Sequence, residues 1–297
     1  MALSLLVRAS GWTLVLGGAL TAGCGSKPPS VIAPAPCPTA SPSPVKGSNV
    51  IVTTHCSLEY AAGGLRDART LAPLIERYTA ALKREFVVEG GAVLFDHVVC
   101  RVHQMGMPTA LAGEGVATTL STSAEGQYSA DIFVLASSLH SATAKTALGD
   151  PMDAAYVAKT LAHELATIPI ERSFATKKAG FGRTAMPRWF VQGFEEYLAL
   201  TITSSRGTAA TAKYAQRVVT KPDRVRFGPA DIAVDDAYGD GATLIAFLVD
   251  EWGAAAPHRV LLGDQTTFYS ALVGVTGLDV AALGARFRAW LGKQPIN

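Results

Sequence analysis

Between Gly25 and Ser48 the chain places seven prolines in 24 residues, with Ser, Ala and Gly between them. Such a segment packs no core, because proline removes backbone donors and the small residues bring little apolar surface. It reads as an extended tether, reaching roughly 75 Å at ~3.1 Å per residue. The chain is thereby divided into residues 1–24, a linker over 25–48 and a foldable part over 49–297. Material for a core is ample, since 49% of the residues are hydrophobic and only 17% charged.

Residues 1–24 read as an export leader. Arg8 stands in the n-region, Trp12 to Leu20 is apolar with small residues, and the run is too short to span a bilayer. It ends in Leu20-Thr-Ala-Gly-Cys24, which resembles a bacterial lipobox, with Thr21 where Leu is usual. The resemblance implies a signal peptide cleaved before a lipidated Cys24. The tether would then hold a globular domain off a membrane, on the periplasmic or surface face of a bacterial cell envelope. Export puts Cys37, Cys56 and Cys100 in an oxidising compartment, where disulfides persist. Cys37 lies among the tether's prolines, whereas Cys56 and Cys100 each sit near an expected strand. Cys56–Cys100 is therefore the first candidate among three pairings.

A net charge of +2 and a pI near 8.3 argue against a dedicated nucleic-acid binder. Lys213, Arg217, Lys221, Arg224 and Arg226 form a basic cluster. It reads as a solvated helix end and loop, with an acidic-partner patch as the other reading.

Strands are expected at 49–54, 92–102, 115–121 and 130–136, the last two joined as a hairpin across Ser123–Gln127. A helix over 65–86 carries Leu71, Leu74, Ile75, Tyr78 and Leu82 on one face. Further helices are expected at 152–168, 187–203, 207–219, 237–252, 265–274 and 278–291, with Asp150-Pro151, Asp264 and Asp279 as starts. Strands first and helices after make an α+β domain.

The chemistry lies in Leu161-Ala-His-Glu-Leu-Ala-Thr167. Two His at i and i+4 on one helix face hold a Zn²⁺, with the Glu between them as general base. Here His163 and Glu164 are present, but Thr167 stands at the second His position. Downstream come Pro187-Arg-Trp-Phe-Val-Gln-Gly-Phe-Glu-Glu-Tyr-Leu198 and Tyr238 to Gly253. In this order the three segments resemble the gluzincin (peptidase MA-like) zinc metallopeptidases over roughly residues 49–292.

The resemblance implies a zincin-like fold: an N-terminal mixed sheet with a helix, two motif helices and a C-terminal helical lobe. It puts Gln192 where the family has its third zinc ligand, a Glu. Glu196 falls at a second acidic position that is not a ligand, and Glu195 is an extra carboxylate. Tyr238 falls where related proteases stabilise the transition state. In such folds the sheet edge beside the motif helix pairs with an extended peptide by strand addition, and that edge is expected near Ala130–Ala136.

The donor set does not suit zinc. A catalytic site keeps three ligands drawn from thiolate, imidazole and carboxylate, and this chain offers one imidazole, one hydroxyl and one neutral amide. Without the metal, water keeps a pKa near 15.7 instead of about 7. A lone carboxylate base such as Glu164 contributes only about 10²–10⁴-fold. On the helix face His163 and Thr167 share with Tyr156 and Thr160, away from the Val157, Leu161, Leu165 and Ile168 stripe, a cleft is expected. The expectation is a pseudopeptidase of the envelope, without a cofactor, binding a peptide or envelope protein. The alternatives are a working zinc metallopeptidase with unusual ligands and a structural envelope lipoprotein without a ligand.

Overall fold

The computed structural model describes residues 4–9, 12–16, 49–54, 56–60, 64–85, 98–103, 117–124, 127–135, 154–176, 180–204 and 207–294. Cys24, Cys37 and the tether lie outside these, as do His55, His97, His140 and the Asp150-Pro151 start. The chain forms two compact units, Met1–Pro169 and Ile170–Asn297. The first holds a large sheet with α1 (Leu65–Glu85) and most of α2 (Ala154–Thr176), and helices dominate the second, in keeping with an α+β class.

In the N-terminal unit one sheet runs in the order β2-β1-β6-β7-β5-β4-β3. Its strands are β1 (Ser4–Ala9), β2 (Trp12–Leu16), β3 (Asn49–Val52), β4 (Cys56–Tyr60), β5 (Val98–His103), β6 (Ala117–Ala124) and β7 (Gln127–Leu135). β4, β5 and β7 are parallel neighbours, while β3, β6 and β1 join antiparallel. The mixed sheet and the β6–β7 hairpin agree with expectation, and β1, β2 and β4 are additional.

β7 lies between β6 and β5 and has no free edge. This corrects the peptide-pairing edge expected at Ala130–Ala136. β1, which lies within the expected leader, pairs on β6, with Leu5 opposite Thr122 and Val7 opposite Leu120. A short apolar run satisfies a strand as well as a helix. In a chain lacking residues 1–24, β6 would be the edge.

Helix α1 (Leu65–Glu85) packs on β4 and β3 through Leu71, Ile75, Tyr78 and Leu82, all buried. Thr53 Oγ1 donates to Glu76 Oε2 at 2.6 Å and ties the end of β3 to the middle of α1.

Helix α2 (Ala154–Thr176) is longer than the expected 152–168 and runs through Pro169. Proline removes one helical hydrogen bond and usually ends the pattern. Here every residue from Leu161 to Ser173 except Glu164 is buried, and a helix buried on all sides is held by packing rather than propensity. The two units divide at this proline.

The C-terminal unit contains α3 (Arg188–Thr203), α4 (Gly207–Thr220), a β8–β9 hairpin (Val225–Phe227, Ile232–Val234), α5 (Gly239–Trp252), α6 (Ala256–Leu262), α7 (Phe268–Thr276) and α8 (Val280–Leu291). α3 and α5 cross with their backbones in contact. A Cβ on Gly193 would lie 2.3 Å from the Gly241 carbonyl carbon, and one on Gly241 would lie 2.4 Å from the Trp189 oxygen. Two aromatic clusters fill the core. Trp189, Phe190 and Phe181 surround Phe268 at 5.0–6.2 Å, and Phe247 meets Trp252, Phe287 and Trp290 at 5.3–5.6 Å. Asp279 caps α8 as expected, accepting from the Ala282 N–H at 2.7 Å. The cap of α7 is Thr267, accepting from Ser270, rather than Asp264.

Candidate functional site

On α2, residues 163 and 167 are one helical turn apart, so the spacing of a zinc-binding pair is retained. The expected open cleft face is not seen at these residues: His163 is 6% exposed and Thr167 2%. Thr167 Oγ1 donates to the His163 carbonyl oxygen at 3.4 Å. Its proton is thus turned back onto the helix, in the i−4 pattern by which Ser and Thr satisfy themselves in helix interiors. Glu164 is half-buried.

On α3, Gln192 is buried and its Nε2 donates to Glu195 Oε2 at 2.6 Å. Glu195 is fully buried. A carboxylate taken out of water must be met by donors, and the amide of Gln192 is one. Gln192 and Glu195 are therefore one hydrogen-bonded unit. Glu196, also buried, accepts from the Tyr214 hydroxyl on α4 at 2.8 Å. Burial first, and then the Glu196 charge, push the Tyr214 hydroxyl well above its ordinary range. It stays protonated as a donor.

The start of α5 carries a second polar knot. Asp240 is fully buried and receives both Nε and Nη2 of Arg224, at 3.0 and 2.8 Å. It also accepts the Asp236 N–H at 3.0 Å. This fork matches guanidinium to carboxylate, and the bond to Asp240 raises the Arg224 pKa further. Arg217 lies 3.5 Å from Asp236, and Arg226 pairs with Asp235 at 2.8 Å. Three of the five residues of the expected basic cluster thus belong to ion pairs within this unit. Lys213, Lys221 and Arg226 are exposed, as the solvated-face reading expects, whereas Arg224 is drawn into a largely buried pair with Asp240.

Tyr238 precedes the first turn of α5, half-buried, its N–H donating to Asp236 Oδ1 at 3.0 Å. The Arg188 guanidinium stands 5.9 Å from its ring centre. Trp189, Phe190, Phe194 and Tyr197 are core, as their spacing predicts. His258 packs edge-on against Phe194 at 5.0 Å. Burial lowers its pKa to about 4, against a smaller opposing effect of its bond to the Ala254 backbone.

The register of β4 and β5 puts Leu58 opposite Cys100 and Cys56 opposite Val98. Cys56 and Cys100 are two residues out of step, a diagonal of roughly 8 Å between Cα atoms. Disulfide partners usually lie within about 6.8 Å. The bridge therefore requires a local shift of register.

Thr167 and Gln192 offer neutral oxygens, which are poor zinc donors, and each of these side chains is hydrogen-bonded within its own helix. Sequence reasoning missed the Tyr214–Glu196 and Arg224–Asp240 pairs. Nothing in the local pattern signals them, because partners 16 and 18 positions apart meet only when the helices pack.

No family model matches the chain, and no curated protein matches it. Among solved structures, it is similar to a crystal structure of Legionella pneumophila aminopeptidase A in complex with aspartic acid. The TM-score is 0.43 at 13% identity, covering 81% of this chain and 28% of that one. The chain thus spans less than a third of that protein's length.

Proposed function

We propose that this chain is a pseudopeptidase of the bacterial cell envelope. In this reading it is a gluzincin-like domain without a catalytic metal, tethered through a lipidated Cys24, and it binds an extended peptide or envelope partner. The observation that supports it best is the bond from Gln192 to Glu195. The position that carries a zinc-binding carboxylate in the resembled family holds an amide committed to a neighbouring buried carboxylate. The Thr167 hydroxyl, turned back to the His163 carbonyl, supports the same reading.

With no metal-activated water, Glu164 has no strong nucleophile to generate. What such a domain retains is recognition, and the main-chain groups of β6 are the natural contact once the leader is gone. Strand addition takes its affinity from the backbone ladder and its selectivity from alternate side chains.

The test is to present the processed protein with a library of unstructured peptides and to assay casein turnover in parallel. Peptide capture without cleavage supports the proposal. Steady cleavage favours a working metallopeptidase, and neither capture nor cleavage favours a structural lipoprotein.

A further inference from the structure

Five arginines of the C-terminal unit are matched by carboxylates: Arg183 by Glu171, Arg217 by Asp236, Arg224 by Asp240, Arg226 by Asp235 and Arg286 by Glu251. Helix α1 in the N-terminal unit is different. Arg66, Arg69, Arg77 and Arg84 are all exposed. At 100° per residue, Arg66, Arg77 and Arg84 fall within about 20° of one line along the helix, spanning roughly 27 Å at 1.5 Å per residue. Arg69 lies about 80° to one side of that line, and Thr70 and Pro73 fill the gaps.

The acidic residues of α1 do not neutralise this row. Asp67 is buried, Glu76 receives the Thr53 hydroxyl, and only Glu85 is exposed, at the last position. Arg77 leans on Tyr78, its Nη2 donating to the phenol oxygen at 2.8 Å. Arg66, Arg69 and Arg84 make no ion pair among the described residues.

We infer that the outward arginine row of α1 is a docking surface for anionic phospholipid headgroups. The guanidinium fork matches phosphate oxygens in two-point geometry, which an ammonium does not. A line of such groups suits a planar array of phosphates better than a single small anion. Membrane is favoured over an acidic protein because of where the tether ends. Residue 48 leads directly into β3, and β3 is bonded to α1 through Thr53 and Glu76. A chain held by Cys24 keeps α1 within roughly 75 Å of a bilayer, where the effective headgroup concentration is high. Basic residues near an anionic leaflet each add attraction that fades within a Debye length.

This inference rests on the anchored reading of Cys24, and the experiment separates the two. The full chain is mixed with phosphatidylcholine vesicles with or without phosphatidylglycerol. Arginines are modified with phenylglyoxal and read residue by residue by mass spectrometry. Arg66, Arg77 and Arg84 should react several-fold more slowly on the anionic vesicles, with the protection lost at high salt. Arg288, exposed on α8, should react equally on both. Co-sedimentation with either vesicle reports the anchor independently. Equal reaction of the α1 arginines on both vesicles overturns the inference, whether or not the chain sediments. Equal protection by soluble polyglutamate without vesicles also overturns it and assigns the row to an acidic polypeptide.

Discussion

The pair Gln192–Glu195 makes a definite statement about one side chain. Gln192→Glu places a second carboxylate where an amide now donates to Glu195 at 2.6 Å. Two carboxylates at that distance cannot both ionise, so one pKa of the pair rises. The folded form then holds a proton that the unfolded form has released. The variant should be near parental stability at pH 4 and lose roughly 1–3 kcal/mol as pH rises to 7, read by chemical denaturation. Adding Thr167→His tests the resemblance: where it holds, zinc should bind the double variant measurably by calorimetry. Each single change should gain far less. A folded double variant that gains no zinc affinity would show that residue 192 is not a ligand position. At this scale the sequence is informative about which side chains stand at 163, 167 and 192, because identity is written in single residues. The Glu195 partnership was not legible, since rotamers at i and i+3 are chosen by packing.

At the scale of elements, the crossing of α3 and α5 is set by two glycines. Gly193→Ala puts a methyl 2.3 Å from the Gly241 carbonyl carbon. Backbone on both sides leaves no flexible neighbour to yield, so the helices must separate. The expected cost is about 2–3 kcal/mol, at the upper end for overpacking. Gly182→Ala, with nothing within 4 Å of its added methyl, should change stability by less than about 0.5 kcal/mol. Equal thermal shifts for the two variants would refute the crossing. Long periodic elements were legible: α1, α3, α5 and α8 fall within two residues of expectation. α6 escaped because seven residues give no readable period, and β8 and β9 because each has three. α2 was cut short at Pro169 by a rule that burial on both sides of the proline overrides.

For the whole molecule, one pH dependence follows from His258. Its imidazole has a pKa near 4 in the folded chain against 6.5 when free. The unfolded chain therefore binds the extra proton first. The associated stability is fully present above pH 6.5 and is lost as pH falls toward 4. Discounted for partial exposure, this amounts to roughly 1–3 kcal/mol. Denaturation midpoints of His258→Phe, which keeps a ring against Phe194, should show a flatter profile between pH 6.5 and 4 than the parent. Identical profiles would remove His258 as the cause. Length alone allows one large domain or two small ones, and the chain divides into two compact units at Pro169, inside α2. Composition does not reveal a division that falls inside a continuous helix. The proposal that this chain is a metal-free pseudopeptidase rests on Thr167 and Gln192 at two positions where the resemblance implies zinc ligands. The direct measurement is elemental analysis of the full chain, purified without chelator and equilibrated with zinc. Zinc should stand far below one per chain after desalting, with folding unchanged by EDTA. About one zinc per chain, removed by EDTA with loss of folding or of peptide cleavage, would contradict it.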